Sequence, residues 1–335
     1  MQELALMQLE QAVTAPLPGS KSRLARLDII RGIALIAMAI YHTGWDFEFF
    51  GYLDPGTTGH GGWKLFARMI ASSFLILVGF SLVLAHQRGI RWKSFGVRLT
   101  QITAAALAIS LVTWFATPDS FVFFGILHQI ALASVLGLLF LRSPIPVLLL
   151  CAVAVIAAPF YWRSPFFDHP ALWWVGLSTI DPRSNDYVPL FPWFGAVLSG
   201  MALARLFQRF RLMPMLQNAT GLPFLDRPLR FIGTHSLAFY LIHQPVLIGC
   251  VFIFSQLFPP AAAPPHEIFA RSCEQSCDAA NDAQFCQRFC SCVIGELENA
   301  DMFDDVFAGR IDTESDPAVK KIAGFCTREN ETPGN

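Results

Sequence analysis

The sequence predicts an all-α fold, a polytopic integral-membrane helical bundle of about seven spans with a small Cys-rich helical C-terminal tail. Three observations predict it. Of 335 residues, 54% are hydrophobic and only 15% charged, and the mean hydropathy is +0.47, a balance foreign to soluble domains. The apolar residues gather in stretches of the roughly 20 residues that a membrane span needs. Six of the eight cysteines lie beyond the last of these stretches.

The stretches fall near residues 27–47, 64–85, 96–116, 121–141, 144–162, 188–207 and 232–258. Residues 1–23 read as a cytoplasmic lead rather than a signal peptide, because they carry Glu3 and Glu10 and no apolar run. The membrane domain then occupies 24–258, a stiff Pro-rich linker 259–265, and the tail 266–335. The net charge of −1 conceals an uneven placement of cations. Lys21, Arg23 and Arg26 precede span one; Arg88, Arg91, Lys93 and Arg98 join spans two and three; Arg142 follows span four; Arg205, Arg209, Arg211, Arg227 and Arg230 join spans six and seven. By the positive-inside rule the N-terminus is cytoplasmic and the tail extracytoplasmic. No basic run covers a soluble domain, which excludes nucleic acid as a partner.

The cysteines test that topology separately. Cys273-x3-Cys277 and Cys286-x3-Cys290 place two thiols on one face of each of two helices, the pattern of a helical hairpin clamped by two disulfides, with three pairings open. A metal site is the competing reading, but the spacing fits the common zinc patterns poorly, and no metal is expected. Disulfides persist in oxidising compartments, in agreement with an outside tail. Glu296, Glu298, Asp301, Asp304 and Asp305 make that tail acidic, and two or three short helices are expected in it.

Span one carries the most informative pattern. At about 100° per residue, Asp28, Arg31, His42 and Asp46 lie within about 60° of one another around the helix axis. Ionisable groups in hydrocarbon cost several kcal/mol unless paired or wet, so this stripe faces a bundle interior or an aqueous cavity. His42 stands at the outer end with Asp46 one turn beyond. A carboxylate that holds one imidazole nitrogen leaves the other free to take a proton, as a general base requires; an interfacial histidine bonded to a nearby carbonyl is the other reading. His128 and Gln129 are expected about two turns below the outer surface in span four. His128 is a catalytic candidate, whereas helix-to-helix hydrogen bonding accounts for Gln129. In span seven Ser236, Tyr240 and His243 share a face, a second polar stripe that lines a substrate cavity or glues helices together. Pro245 is expected to kink or end that helix. Phe191-Pro192-Trp193-Phe194-Gly195 and Gly200 in span six read as architecture. In the outside loop 163–187, Asp168 and Trp173-Trp174 could floor a sugar site or form part of an interfacial aromatic belt.

Four blocks together, Arg26-x-Asp28-x-x-Arg31-Gly32 with Tyr41-His42, Phe124-Gly125-Ile126-Leu127-His128, Phe191-Pro192-Trp193-Phe194-Gly195, and His235-Ser236-x-x-x-Tyr240-x-x-His243, resemble the heparan-alpha-glucosaminide N-acetyltransferase catalytic-domain family in its compact bacterial form. The first and last blocks also resemble the wider membrane acyltransferase clan that modifies surface sugars. The resemblance runs from about residue 24 to 255 and leaves the tail outside. It implies transfer of an acetyl or other acyl group from cytoplasmic acetyl-CoA (acyl-CoA) to an amino sugar or glycan acceptor outside, in a bacterial inner membrane. On that reading the partners are acyl-CoA, the glycan and the lipid bilayer, with a homodimer left open. Asp28 and Arg31 steady the anionic donor, Arg88, Arg91 and Arg98 meet its phosphates, and His42, or His60 in the following loop, is the active histidine. An O-acyltransferase of polysaccharide hydroxyls is the close alternative. A transporter would call for inverted repeats, which the sequence does not display, and a scaffold presenting the tail would leave the buried histidines without a role.

Overall fold

A computed structural model describes residues 24–54, 56–216, 223–260, 264–277, 282–311, 313 and 316–331. The expected lead 1–23 and linker residues 261–263 lie outside the described residues. The described residues fall into two units, those within Met1–Thr43 and Gly61–Leu247 and those within Gly44–His60 and Ile248–Asn335.

The helices are α1 (Ala25–Phe49), α2 (Gly61–Ala85), α3 (Trp92–Ala116), α4 (Ile126–Leu139), α5 (Ile145–Tyr161), α6 (Leu190–Arg209), α7 (Pro223–Thr234), α8 (Ser236–Leu257), α9 (Pro265–Cys277), α10 (Ala283–Asn299), α11 (Phe303–Phe307) and α12 (Pro317–Glu331). Of the seven expected spans, five (α1, α2, α3, α6 and α8) are long and apolar enough to cross a membrane, while α4 and α5 are shorter apolar helices. Large apolar side chains point away from the protein, among them Leu107, Phe115, Leu150 and Phe160. This all-α architecture with outward apolar faces is that of an integral-membrane protein.

The core of the first unit is built where α6 packs against α2 and α5, with Leu75, Leu148, Val197, Leu198 and Met201 fully buried. Close approach needs glycine at the crossings. A Cβ on Gly79 would run into the Val197 carbonyl, and one on Gly233 of α7 would run into the Asp28 carbonyl of α1.

The structure corrects three local expectations. The span expected from residue 121 becomes helical only at Ile126; Phe121–Gly125 stay outside the helix, with Phe124 bridged to Tyr187 and the Val188 N–H donating to the Phe124 carbonyl at 3.0 Å. A run of aromatic and β-branched residues ending in glycine favours such backbone. The span expected over 232–258 is two helices that meet at His235, and α8 continues past Pro245 to Leu257. In a membrane helix, neighbouring groups re-satisfy the carbonyl that a proline frees. Among the described residues the tail holds four helices rather than two or three, because the chain turns at Asp301 with a positive φ and restarts at Phe303 and again at Pro317.

In the second unit α9 and α10 form the expected clamped hairpin. Its pairings are Cys273–Cys290 and Cys277–Cys286, and a third disulfide, Cys292–Cys326, ties α10 to α12. The small core of the tail gathers Val293, Leu297, Phe303, Val306 and Val319 around the buried Cys326.

Candidate active site

Of the α1 stripe, Asp28 and Arg31 line a cavity of about 940 Å³ inside the first unit, while His42 and Asp46 are not in its wall; the volume is within the size range of small-molecule sites. Its polar wall combines Asp28 and Arg31 of α1, Ser81 of α2, Lys93, Arg98 and Gln101 of α3, and His235, Ser236 and Tyr240 around the α7–α8 junction. Leu35, Phe74, Ile102, Leu127 and Ile130 line the rest. Arg31 is oriented from two sides, since its guanidinium donates to Asp28 Oδ1 at 2.7 Å and to Ser81 Oγ at 2.7 Å. That pair leaves the other N–H groups of Arg31 for a ligand, while Lys93 and Arg98 add charge without a carboxylate beside them in the lining other than Asp28.

His42 lies seven residues beyond Leu35, about 10 Å further along α1 at 1.5 Å per residue. There it meets His243 of α8, ring centroids 5.1 Å apart and edge to face. The tautomer of His243 follows from its partners. Its Nδ1–H donates to the Tyr240 carbonyl at 2.7 Å, so Nε2 carries the lone pair; this Nε2 is buried and has no hydrogen-bond partner among the described residues. Tyr240 therefore joins the two places, lining the cavity with its side chain and holding His243 with its backbone.

His128 stands in the first turn of α4 instead of two turns down a longer helix. Its Nδ1 accepts from the Gly125 N–H at 3.2 Å, and its Nε2 lies 3.2 Å from Ser110 Oγ, whose own proton goes to the Val122 carbonyl. Both nitrogens are thus engaged in closing the helix start. Gln129 is fully buried, and neither side-chain atom finds the interhelical partner that the sequence led us to expect among the described residues. The α4 N-terminus is also held by Asp186, whose Oδ2 accepts from the Ile126 N–H at 2.8 Å. Burial pushes this carboxyl up to about 6, against the opposing pull of that backbone bond.

The other candidates disperse. Asp46 is fully buried and belongs to the second unit. His60, in that unit as well, is exposed and bonded through Nδ1 to the Gly56 carbonyl at 2.8 Å. Arg91 and Arg98 line a small cavity of about 170 Å³, whereas Arg88 sits with Arg142 and Arg205 around a separate one of about 930 Å³. The basic cluster between α2 and α3 is therefore divided, and of its arginines only Arg98 reaches the main cavity. In the long loop, Trp173 Nε1–H donates to the Asp168 carbonyl at 2.9 Å and its ring packs on Phe123. The Asp168 carboxylate accepts from Thr179 and Ser178, which hold it below the usual carboxylate range. Tyr187 donates to the Trp173 carbonyl at 2.7 Å, and burial pushes its phenol up to about 12.

Sequence reasoning missed Ser81, Gln101 and Asp186. Each acts through a partner 50 or more residues away or through the cavity wall, and neither spacing nor periodicity carries that signal.

A helical membrane bundle that encloses a cavity walled by Arg31, Lys93 and Arg98, with two imidazoles in contact on the α1 and α8 helices that also line it, defines a class, an integral-membrane protein with a basic internal site. Residues 23–245 match the family described as heparan-alpha-glucosaminide N-acetyltransferase, catalytic, and the chain belongs to that family. It is by that membership a membrane acetyltransferase. No curated protein and no solved structure matches it.

Proposed function

We propose that the chain moves an acetyl or other acyl group from acyl-CoA, held in the main cavity, to an amino sugar or glycan acceptor on the opposite side of the membrane. The observation that carries this reading is the cavity itself, basic at Arg31, Lys93 and Arg98, apolar along Leu35, Phe74 and Ile130, and lined by the same two helices, α1 and α8, that bring His42 and His243 together. Guanidinium and ammonium groups suit the donor's phosphates, and an apolar throat suits its pantetheine arm and excludes water from the thioester. The positive-inside rule supports a cytoplasmic donor end, since Arg88, Arg91, Lys93 and Arg98 join α2 to α3.

In the transfer, the acceptor's nitrogen or oxygen attacks the thioester carbonyl while an imidazole nitrogen of His42 takes its proton. The new C–N or C–O bond forms, the C–S bond breaks, and coenzyme A leaves as the thiol with that proton returned to sulfur. His243, locked as the Nδ1–H tautomer, offers a lone pair beside His42 and keeps its ring in place. An amine acceptor sheds its ammonium proton before attack, whereas a hydroxyl loses its proton during attack. An inner membrane with the Cys-rich tail on its outer side fits the three disulfides.

The test is transfer of labelled acetyl from acetyl-CoA by the purified protein to a panel of amino sugars and glycan hydroxyls, with His42→Ala and His60→Ala in parallel. Label on an acceptor, lost in His42→Ala, is the expected outcome. Loss in His60→Ala with His42→Ala active would move the base to the loop, and no label on any acceptor with intact donor would overturn the reading.

A further inference from the structure

The Cys-rich tail lies beyond the family match, which ends at residue 245, yet within the second unit it does not stand free. It packs on the loop that carries His60. The loop is first organised by itself, because the Glu48 carboxylate accepts from the Gly56 N–H, the Thr58 N–H and Thr58 Oγ1 at 2.6–2.7 Å. These bonds curl residues 56–60 so that His60 Nδ1–H reaches the Gly56 carbonyl. The loop is then gripped at three points, one at the end of α8 and two on α9 of the tail. Tyr52 donates its hydroxyl proton to the Phe258 carbonyl, and the ring of Tyr52 packs on Phe254 with centroids 5.5 Å apart. Gly56 lies against Gln275 of α9, closely enough that a Cβ there would stand 3.0 Å from Nε2. Arg271, also on α9, bridges Asp54 of the loop to Glu267 one turn before it.

No residue of α9 is fully buried, and its apolar anchor is Phe269, which packs on Phe303 of the tail core with centroids 5.5 Å apart. The pair of disulfides to α10, at Cys273 and Cys277 on either side of Gln275, adds a covalent clamp. The clamp and the grip therefore share one turn and a half of helix. A cross-link that removes the freedom of α9 makes the Arg271 and Gln275 contacts cheaper to form, since less side-chain and backbone entropy is lost.

We propose that the disulfide-clamped hairpin is a positioning element for the His60 loop, with Arg271 as a positioning residue that acts through Asp54. The effect on catalysis rests on the acyl-transfer function proposed above; the coupling within the second unit does not. The imidazole of His60 stays exposed while its loop is held at both ends, which suits a group that meets an acceptor from solution.

The experiment uses the full chain with its disulfides intact and reads two quantities, amide hydrogen exchange of residues 51–60 and the kcat and KM of acetyl transfer. The variants are Arg271→Ala, Asp54→Ala, the double variant, Arg271→Lys and, as a tail control, Arg310→Ala, whose side-chain ion pair is to Asp305. Arg271→Ala and Asp54→Ala each accelerate exchange in the loop about fivefold, the scale of one good surface ion pair. The double variant goes no further than either single, because both remove one interaction. In the same variants kcat falls about as much with the donor KM unchanged, Arg271→Lys recovers most of it, and Arg310→Ala matches wild type. Unchanged exchange in Arg271→Ala, additive singles, or an equal loss in Arg310→Ala would overturn the proposal. Faster exchange with unchanged kcat would overturn its catalytic half. A wild-type protein that transfers no acetyl would instead count against the function, while the exchange data still decide the coupling.

Discussion

His42 and His243 stand edge to face, ring centroids 5.1 Å apart, although 201 positions separate them in the chain. One comes from the C-terminal half of α1, the other from α8, and the Tyr240 carbonyl fixes which nitrogen of His243 is free. On the proposed function, His42 of this pair is the base and His243 the group that orients it. His42→Ala is expected to lower kcat by 10²-fold or more, within the usual range for loss of a general base. His243→Ala is expected to cost about tenfold, with the donor KM unchanged in both. Steady-state kinetics with varied acetyl-CoA checks the ranking.

The Asp28–Arg31 pair sits in the cavity wall with side chains only 11% and 24% exposed. Arg31→Ala leaves the Asp28 carboxylate facing the cavity without its cation and, on the proposed function, removes one group that holds the donor. The expected result is a donor KM raised about tenfold together with a thermal midpoint lowered by the equivalent of about 3 kcal/mol. Ser81→Ala, which removes only the second support of Arg31, is expected to raise KM by a few-fold with little change in midpoint.

Asp186 gives a pH signature. Its carboxyl in the folded protein titrates at about 6, above the roughly 3.9 of an unfolded chain. The folded state therefore holds the proton more tightly, so this group's contribution to stability is complete below about pH 4 and is lost as the pH rises through about 6. Asp186→Asn keeps an acceptor for the Ile126 N–H but cannot titrate. Thermal midpoints measured from pH 4 to 7 should fall less steeply in the variant than in wild type.

Two glycines, Gly233 of α7 and Gly249 of α8, should respond oppositely to alanine. Gly233 lies where α7 crosses α1, and a Cβ there would occupy the Asp28 carbonyl; Gly233→Ala is expected to destabilise the protein by more than about 3 kcal/mol. Gly249 of α8 has open space around it, so Gly249→Ala should gain up to about 1 kcal/mol from the better helix former. Chemical or thermal unfolding in detergent separates the two.

Much of this was legible in the residues. The bundle, the stripe on α1, the opposing stripe on α8 and the clamped Cys hairpin follow from apolar run length and from the helical period, which are local properties. Asp28, Arg31, Ser236 and Tyr240 do line one cavity. Less legible was anything decided by packing between distant segments. The start of α4 depends on Tyr187 and Asp186, some 60 residues on, so His128 falls in the first turn of that helix and not two turns down it, where periodicity put it. The basic residues between α2 and α3 look like one cluster in the chain, but the turn that carries Arg88 and Arg91 and the helix that carries Lys93 and Arg98 distribute them among three different cavities. The His42–His243 contact needed both helices in place, since neither stripe alone states how far along the other it will sit.

The central claim is that a donor in the basic cavity passes its acyl group across the bilayer with His42 as base. The most direct measurement uses sealed vesicles with a single protein orientation, labelled acetyl-CoA on one side and an amino-sugar acceptor on one side or the other. Label should reach the acceptor only when donor and acceptor are on opposite sides, and His42→Ala should abolish it. Equal labelling with both on the same side, or full labelling by His42→Ala, would contradict the account.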